Sequence, residues 1–134
     1  MPRIHVAIVD NDTAQDLLSG RKRVESRFAR HRRPPYGCVS RGDHIYFKHS
    51  GDMVIGRAAV TRVLQFDDLT PGAIEDLRRR YNHAIRATPA YWYARRNRRF
   101  GVLIWLARLR PPDNAPAVPR QYGNGWILPV GEGC

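Results

Sequence analysis

The residues able to do chemistry crowd into one stretch of this 134-residue chain. From Gly20 to Arg33 it carries Arg21, Lys22, Arg23, Arg27, Arg30, Arg32 and Arg33 against a single acid, Glu25. Lys22 and Glu25 stand three apart across an expected helix-to-strand junction. Glu25 and Arg27 stand two apart, so on a strand they share a face. A fixed Lys–Glu–Arg group can hold the edge of a base or a sugar. It can also supply a nucleophile or base beside a carboxylate. In that second role Lys22 must lose its proton, which desolvation or neighbouring positive charge favours, and Arg21, Arg23 and Arg27 are its neighbours in sequence. The plain alternative is a structural ion pair at the start of a strand.

Two further groups could meet a polyanion. Arg30, Arg32 and Arg33 precede Pro34-Pro35-Tyr36 and read as a loop that grips phosphates. Tyr91, Trp92 and Tyr93 run into Arg95, Arg96, Arg98 and Arg99, and exposed aromatics beside arginine can stack on unpaired bases. At helical spacing one or two of these three rings must face the core, and Trp92 is the expected one. Lys48, on an expected strand, joins the basic set. The whole composition points the same way. Lys plus Arg is 23 against 12 for Asp plus Glu, the net charge is +11, and only Lys22 and Lys48 are lysines. Arginine suits bidentate phosphate contact and base stacking, so a nucleic acid is expected ahead of an anionic lipid. A solvated surface from arginine-rich codon usage is the bland reading.

The elements that must position these residues are legible in outline. Ile4–Val9 reads as a strand, with Asp10-Asn11-Asp12 as turn and cap. Thr13–Ser19 reads as a short helix stopped by Gly20, which accepts positive φ. Val24, Ser26 and Phe28 alternate with Arg23, Glu25 and Arg27, the period of a strand. His44–His49 and Met53–Phe66 are strands joined by a hairpin at Ser50-Gly51-Asp52. Thr70-Pro71 and Thr88-Pro89 each open a helix, and the second is expected to carry its arginines as far as Arg99. Phe100–Leu109 is the most apolar strand, and Trp126–Leu128 closes the chain. Trp105 is expected in the core. The set is α+β, one curled or closed sheet of antiparallel hairpins without βαβ alternation.

Several function classes are excluded. No apolar run approaches the ~20 residues that span a bilayer, and the opening residues lack a secretory apolar stretch, so a cytoplasmic chain without membrane partners is expected. Cys38 and Cys134 are expected as free thiols. No Cys/His spacing suits zinc, and no Walker loop or nucleophile elbow is present, so no cofactor or metal is expected.

Gly20-Arg21-Lys22-Arg23-Val24-Glu25-Ser26-Arg27 resembles the G-x-K-x-x-E-x-R signature of ASCH domains, part of the PUA-like superfamily. Val39 to Lys48 resembles the family's Gly-Asp turn and following strand. The Met53–Val63 strand, Tyr91-Trp92, the strand through Trp105 and Gly125-Trp126 lie where longer bacterial members have them. The resemblance covers nearly the whole chain. It implies a single 1–134 domain: a small PUA-like β-barrel of five or six strands, two or three short flanking helices, and a C-terminal loop and closing strand at 111–134. It also implies a cleft lined by the signature residues, and RNA binding. Some members are hydrolases, one branch acting on 4-acetylcytidine and another member being a ribonuclease. In the deacetylase-type branch a threonine stands three after the lysine, and a distant acid completes the set. Here Glu25 stands at the threonine's place, and Asp67, Asp68 and Glu75 lie in the region of the acid.

The expected function is an RNA-binding or single-stranded nucleic-acid-binding module whose basic cleft reads a base or modified nucleoside. The alternative is a small amidohydrolase or ribonuclease with Lys22 and Glu25 as catalytic pair. A basic face that docks an acidic protein is a third reading.

Overall fold

A computed structural model of the chain describes residues 2–49, 53–117 and 125–129. The elements in order are β1 (Ile4–Val9), α1 (Asn11–Leu18), β2 (Val24–Ala29), β3 (His44–His49), β4 (Val54–Phe66), α2 (Pro71–Ile85), α3 (Pro89–Ala94), β5 (Phe100–Leu106) and β6 (Trp126–Ile127). They form one curled six-stranded sheet in the order β2-β5-β4-β3-β1-β6.

Local chemistry sets the helix ends. Asp10, Thr70 and Thr88 each turn a side-chain oxygen onto a backbone N–H three residues on, and proline stands in the first turn of α2 and α3. Gly20, just past α1, has φ +79, the left-handed backbone a glycine takes at least cost. The expected second helix stops at Ala94, five residues early. Arg98 N donates to Arg95 O at 3.0 Å, so the chain turns there and carries its arginines off the helix axis.

The expectation of antiparallel hairpins alone is corrected by one pair. β1 runs parallel to β3 from Ile4↔His44 to Val9↔His49, while β2·β5, β5·β4, β4·β3 and β1·β6 are antiparallel. The crossover from β1 to β3 carries α1, β2 and the loop after β2. The Ser50–Asp52 hairpin lies outside the described residues, and so does most of 111–134 beyond Ala117.

Ile45 and Phe47 enter one core with Ala7, Val60, Val102 and Trp126, beneath α1. Val24, Phe28, Leu103, Ile74, Leu77 and Trp92 form a second, beneath α2 and α3. Tyr46, on the other face of β3, packs with Val6 and Ile127. Trp105 departs from its expected place in the core: it is half-buried, with Tyr81 edge-on and the Arg62 guanidinium 4.5 Å from its ring. Cys38, expected as a free thiol, is buried and disulfide-bonded; Cys134 lies outside the described residues. Among the described residues no helix is long and apolar enough to cross a membrane.

Candidate nucleic-acid interface

The sheet curls but its two edges are not joined by a backbone ladder. A side chain bridges them. Arg27, on edge strand β2, donates from Nη2 to Ile8 O at 3.2 Å and from Nη1 to Gly125 O at 3.4 Å. Its guanidinium also lies 5.3 Å from the Trp126 ring. A Cβ at position 125 would stand 2.9 Å from Arg27 Nη1, so a side chain there would push the guanidinium aside. Gly125 O in turn accepts Ile8 N at 2.8 Å.

A cleft of about 330 Å³ opens beside this bridge. Its walls include Ile8 to Asp10 from the end of β1, Glu25 to Ala29 along β2, Arg33 to Tyr36 from the following loop, and Tyr91 and Arg95 from α3.

Glu25 is the buried charge of the cleft, 4% exposed. Oε1 accepts Ser26 N at 3.0 Å and lies 3.6 Å from Lys22 Nζ; Oε2 lies 3.6 Å from Arg27 Nη2. Among the described residues Oε2 accepts no hydrogen bond. Burial alone would raise the Glu25 pKa. The Lys22 and Arg27 charges and the Ser26 N–H overcome it and hold the carboxyl below its ordinary value, so the group is ionised. Opposite, Ser26 Oγ and Tyr91 OH are 2.6 Å apart, and Tyr91 OH also donates to Ser26 O at 3.2 Å. Burial raises the Tyr91 phenol, which is therefore neutral. The Arg95 guanidinium covers the Tyr91 ring at 3.8 Å.

Of the expected site residues, the fold brings Glu25, Arg27, Arg33, Tyr36, Tyr91 and Arg95 to the cleft. Lys22 is behind Glu25. It is buried, donates from Nζ to Ile85 O at 2.8 Å, and lines a separate groove with Arg23 and Leu106. Arg21 is exposed and pairs with Asp16. Arg30 is exposed at the end of β2, and Arg32 lies 5.5 Å from the Phe100 ring. Lys48 is buried on β3. Tyr93 and Arg96 stack on each other at 3.8 Å in a different groove, between α2 and α3. The distant acids keep away from the cleft lining: Asp68 pairs with Arg99, and Glu75 pairs with Arg78 on α2.

Sequence reasoning did not mark Asp10, Thr13, Ser26 or the carbonyls of Ile8 and Gly125 as cleft residues. Only Ser26 carried a signal, sitting between Glu25 and Arg27 inside the motif. The others arrive through the parallel β1–β3 pairing and the return of the chain at Gly125.

No family model and no curated protein matches the chain. Solved structures do. The ASCH protein of Zymomonas mobilis superposes with a TM-score of 0.65 at 19% identity, over 94% of this chain and 87% of that one. A tyrosine-to-phenylalanine variant of it gives 0.65 at 19% identity over 94% and 89%, and a serine-to-alanine variant 0.63 at 19% over 96% and 90%. The chain is an α+β protein with one curled six-stranded sheet. Its fold is that of the ASCH domain.

Proposed function

We propose that the cleft between β1 and β2 receives one base or modified nucleoside of an RNA, or of another single-stranded nucleic acid, while arginines at its rim hold phosphate. The observation that carries this reading is the Glu25 carboxylate: ionised, buried in the cleft wall, and with one oxygen lacking a hydrogen-bond donor. Native proteins seldom leave such an acceptor unmet, and a base edge offers the N–H groups that would meet it. The volume is at the small end of ligand pockets, suited to one nucleotide. Tyr91 and Arg95 supply a stacked π and guanidinium surface beside it. The ASCH fold agrees with this reading in general terms.

The test is a salt-titrated binding assay with single-stranded RNA, single-stranded DNA and duplex. Expected is single-strand binding that weakens steeply with salt, by roughly 0.7 log units per phosphate contact for each decade, and a loss of tenfold or more (about 1.4 kcal/mol) in Glu25→Gln. Salt-independent binding, or full affinity in Glu25→Gln, overturns the reading.

The hydrolase reading draws on the buried Lys22–Glu25 pair, whose charged atoms lie 3.6 Å apart. Its signature is release of acetate from 4-acetylcytidine, or RNA cleavage, that Lys22→Ala abolishes.

A further inference from the structure

Four arginines at and beyond the cleft rim gather where the β2·β5 ladder ends. Ala29 pairs with Phe100, and Arg99 N donates to Ala29 O at 3.2 Å. Arg30, next after β2, thus leaves the sheet beside the chain entering β5. The turn after α3 brings Arg98 against Arg95, and the loop after β2 brings Arg33. Arg99 is drawn off to Asp68 at 3.1 Å. Arg30, Arg33, Arg95 and Arg98 have no ion pair among the described residues. Arg98 Nε is buried and donates to no group among the described residues. The ladder end and the turn after α3 bring these loops together, and burial, then the charges of Arg30, Arg95 and Arg33, lowers the Arg98 pKa. Arginine cannot relieve this by losing its proton. An anion can.

We infer that Arg30, Arg33, Arg95 and Arg98 form a binding site for a phosphate monoester, the terminal phosphate of the nucleotide seated in the cleft. This rests on the nucleotide reading above. Arg33 and Arg95 line the cleft itself, so the phosphate they hold belongs to the one nucleotide the cleft has room for. A monoester carries close to two charges and three acceptor oxygens, against one charge on a phosphodiester. It is the better match for clustered guanidinium forks.

The experiment uses the full chain, inorganic phosphate, and one trinucleotide RNA in 5′-phosphorylated, 3′-phosphorylated and unphosphorylated forms. Affinity is read by calorimetry and melting temperature in phosphate-free buffer. Expected is a gain of about tenfold or more for one phosphorylated form. That form identifies the strand end. Arg98→Gln should lose the gain yet melt no lower than wild type without ligand, because a repulsion has been removed. If Arg98→Gln fails to fold, Arg33→Gln on the exposed loop replaces it. Equal affinity of all three forms, or a gain that survives the substitution, overturns the inference while the cleft reading stands. RNA that binds in no form, with inorganic phosphate still raising the melting temperature of wild type but not of the variant, supports the phosphate site and overturns the cleft reading.

Discussion

Two buried polar groups hold the edges of this sheet, and they differ in one respect. In the first, His5 on β1 lies between Asp43 and Trp126. Nε2–H donates to Asp43 Oδ2 at 2.8 Å, and Nδ1 accepts Trp126 Nε1–H at 3.1 Å. Asp43 also accepts Arg3 N at 2.9 Å and Ser40 N at 3.0 Å. Each of these donors and acceptors is met. In the second, Lys22 and Glu25 are buried and Arg27 is half-buried, but Glu25 Oε2 goes without a hydrogen bond among the described residues. A completed network in a low-dielectric interior fixes a structure, and an incomplete one keeps a cost that a ligand can remove. The first group is complete within the fold, and the second holds the unmet acceptor on which the proposed base contact rests.

The largest expected effect breaks the completed network. Asp43→Ala strands His5 Nε2–H and two backbone N–H groups, and should cost about 3 kcal/mol or more in urea unfolding. A cost under about 1 kcal/mol would erase the contrast. Next, Glu25→Gln alone should destabilise by about 3 kcal/mol because it leaves Lys22 buried without its counter-charge, whereas the Lys22→Met, Glu25→Gln double variant should recover most of that. Neither should recover RNA binding. A double variant that binds RNA at wild-type affinity would make the pair purely structural.

Acidity should separate the groups more gently. Burial holds the His5 imidazole below its ordinary pKa, against the Asp43 hydrogen bond and charge. The folded value is lower than the unfolded one of about 6.5. The neutral-His5 contribution is therefore complete above that value and lost as pH falls below it toward the folded value. Asp43 and Glu25, also lowered, follow the same sign at lower pH, below the ordinary carboxylate values. Urea midpoints should fall as pH drops below the ordinary histidine value, and the His5 ring resonances should titrate below that value. A His5 that titrates at or above its ordinary value would refute this. The smallest effect belongs to the outer groove: Arg96→Ala should leave stability within about 0.5 kcal/mol. It should reduce the salt slope of RNA binding by about 0.7 if Arg96 meets one phosphate. An unchanged slope would confine the interface to the cleft.

Much of this was legible in the residues. The caps at Asp10, Thr70 and Thr88, the stop at Gly20, the alternation of β2 and the shared face of Glu25 and Arg27 follow from short-range rules, because each depends on neighbours a few residues apart. The Gly20–Arg27 signature drew attention to β2, whose residues Glu25 to Ala29 line the cleft. Helix and strand ends were read less well. α3 and β5 stop early at Ala94 and Leu106, where tertiary contacts override a pattern that continues in sequence.

The sequence by itself determined the charge, the order of elements and which side chains β2 presents, since these depend on composition and on a period of two. Only the tertiary structure decided which of seven clustered cations meet the cleft. It sent Lys22 behind Glu25 to the Ile85 carbonyl and drew Arg27 across to Ile8 and Gly125. It left Arg98 without an ion pair among the described residues, its pKa lowered by burial and then by the Arg30, Arg95 and Arg33 charges. Those outcomes hang on contacts dozens of residues apart, and on the parallel β1·β3 pairing that no local pattern encodes.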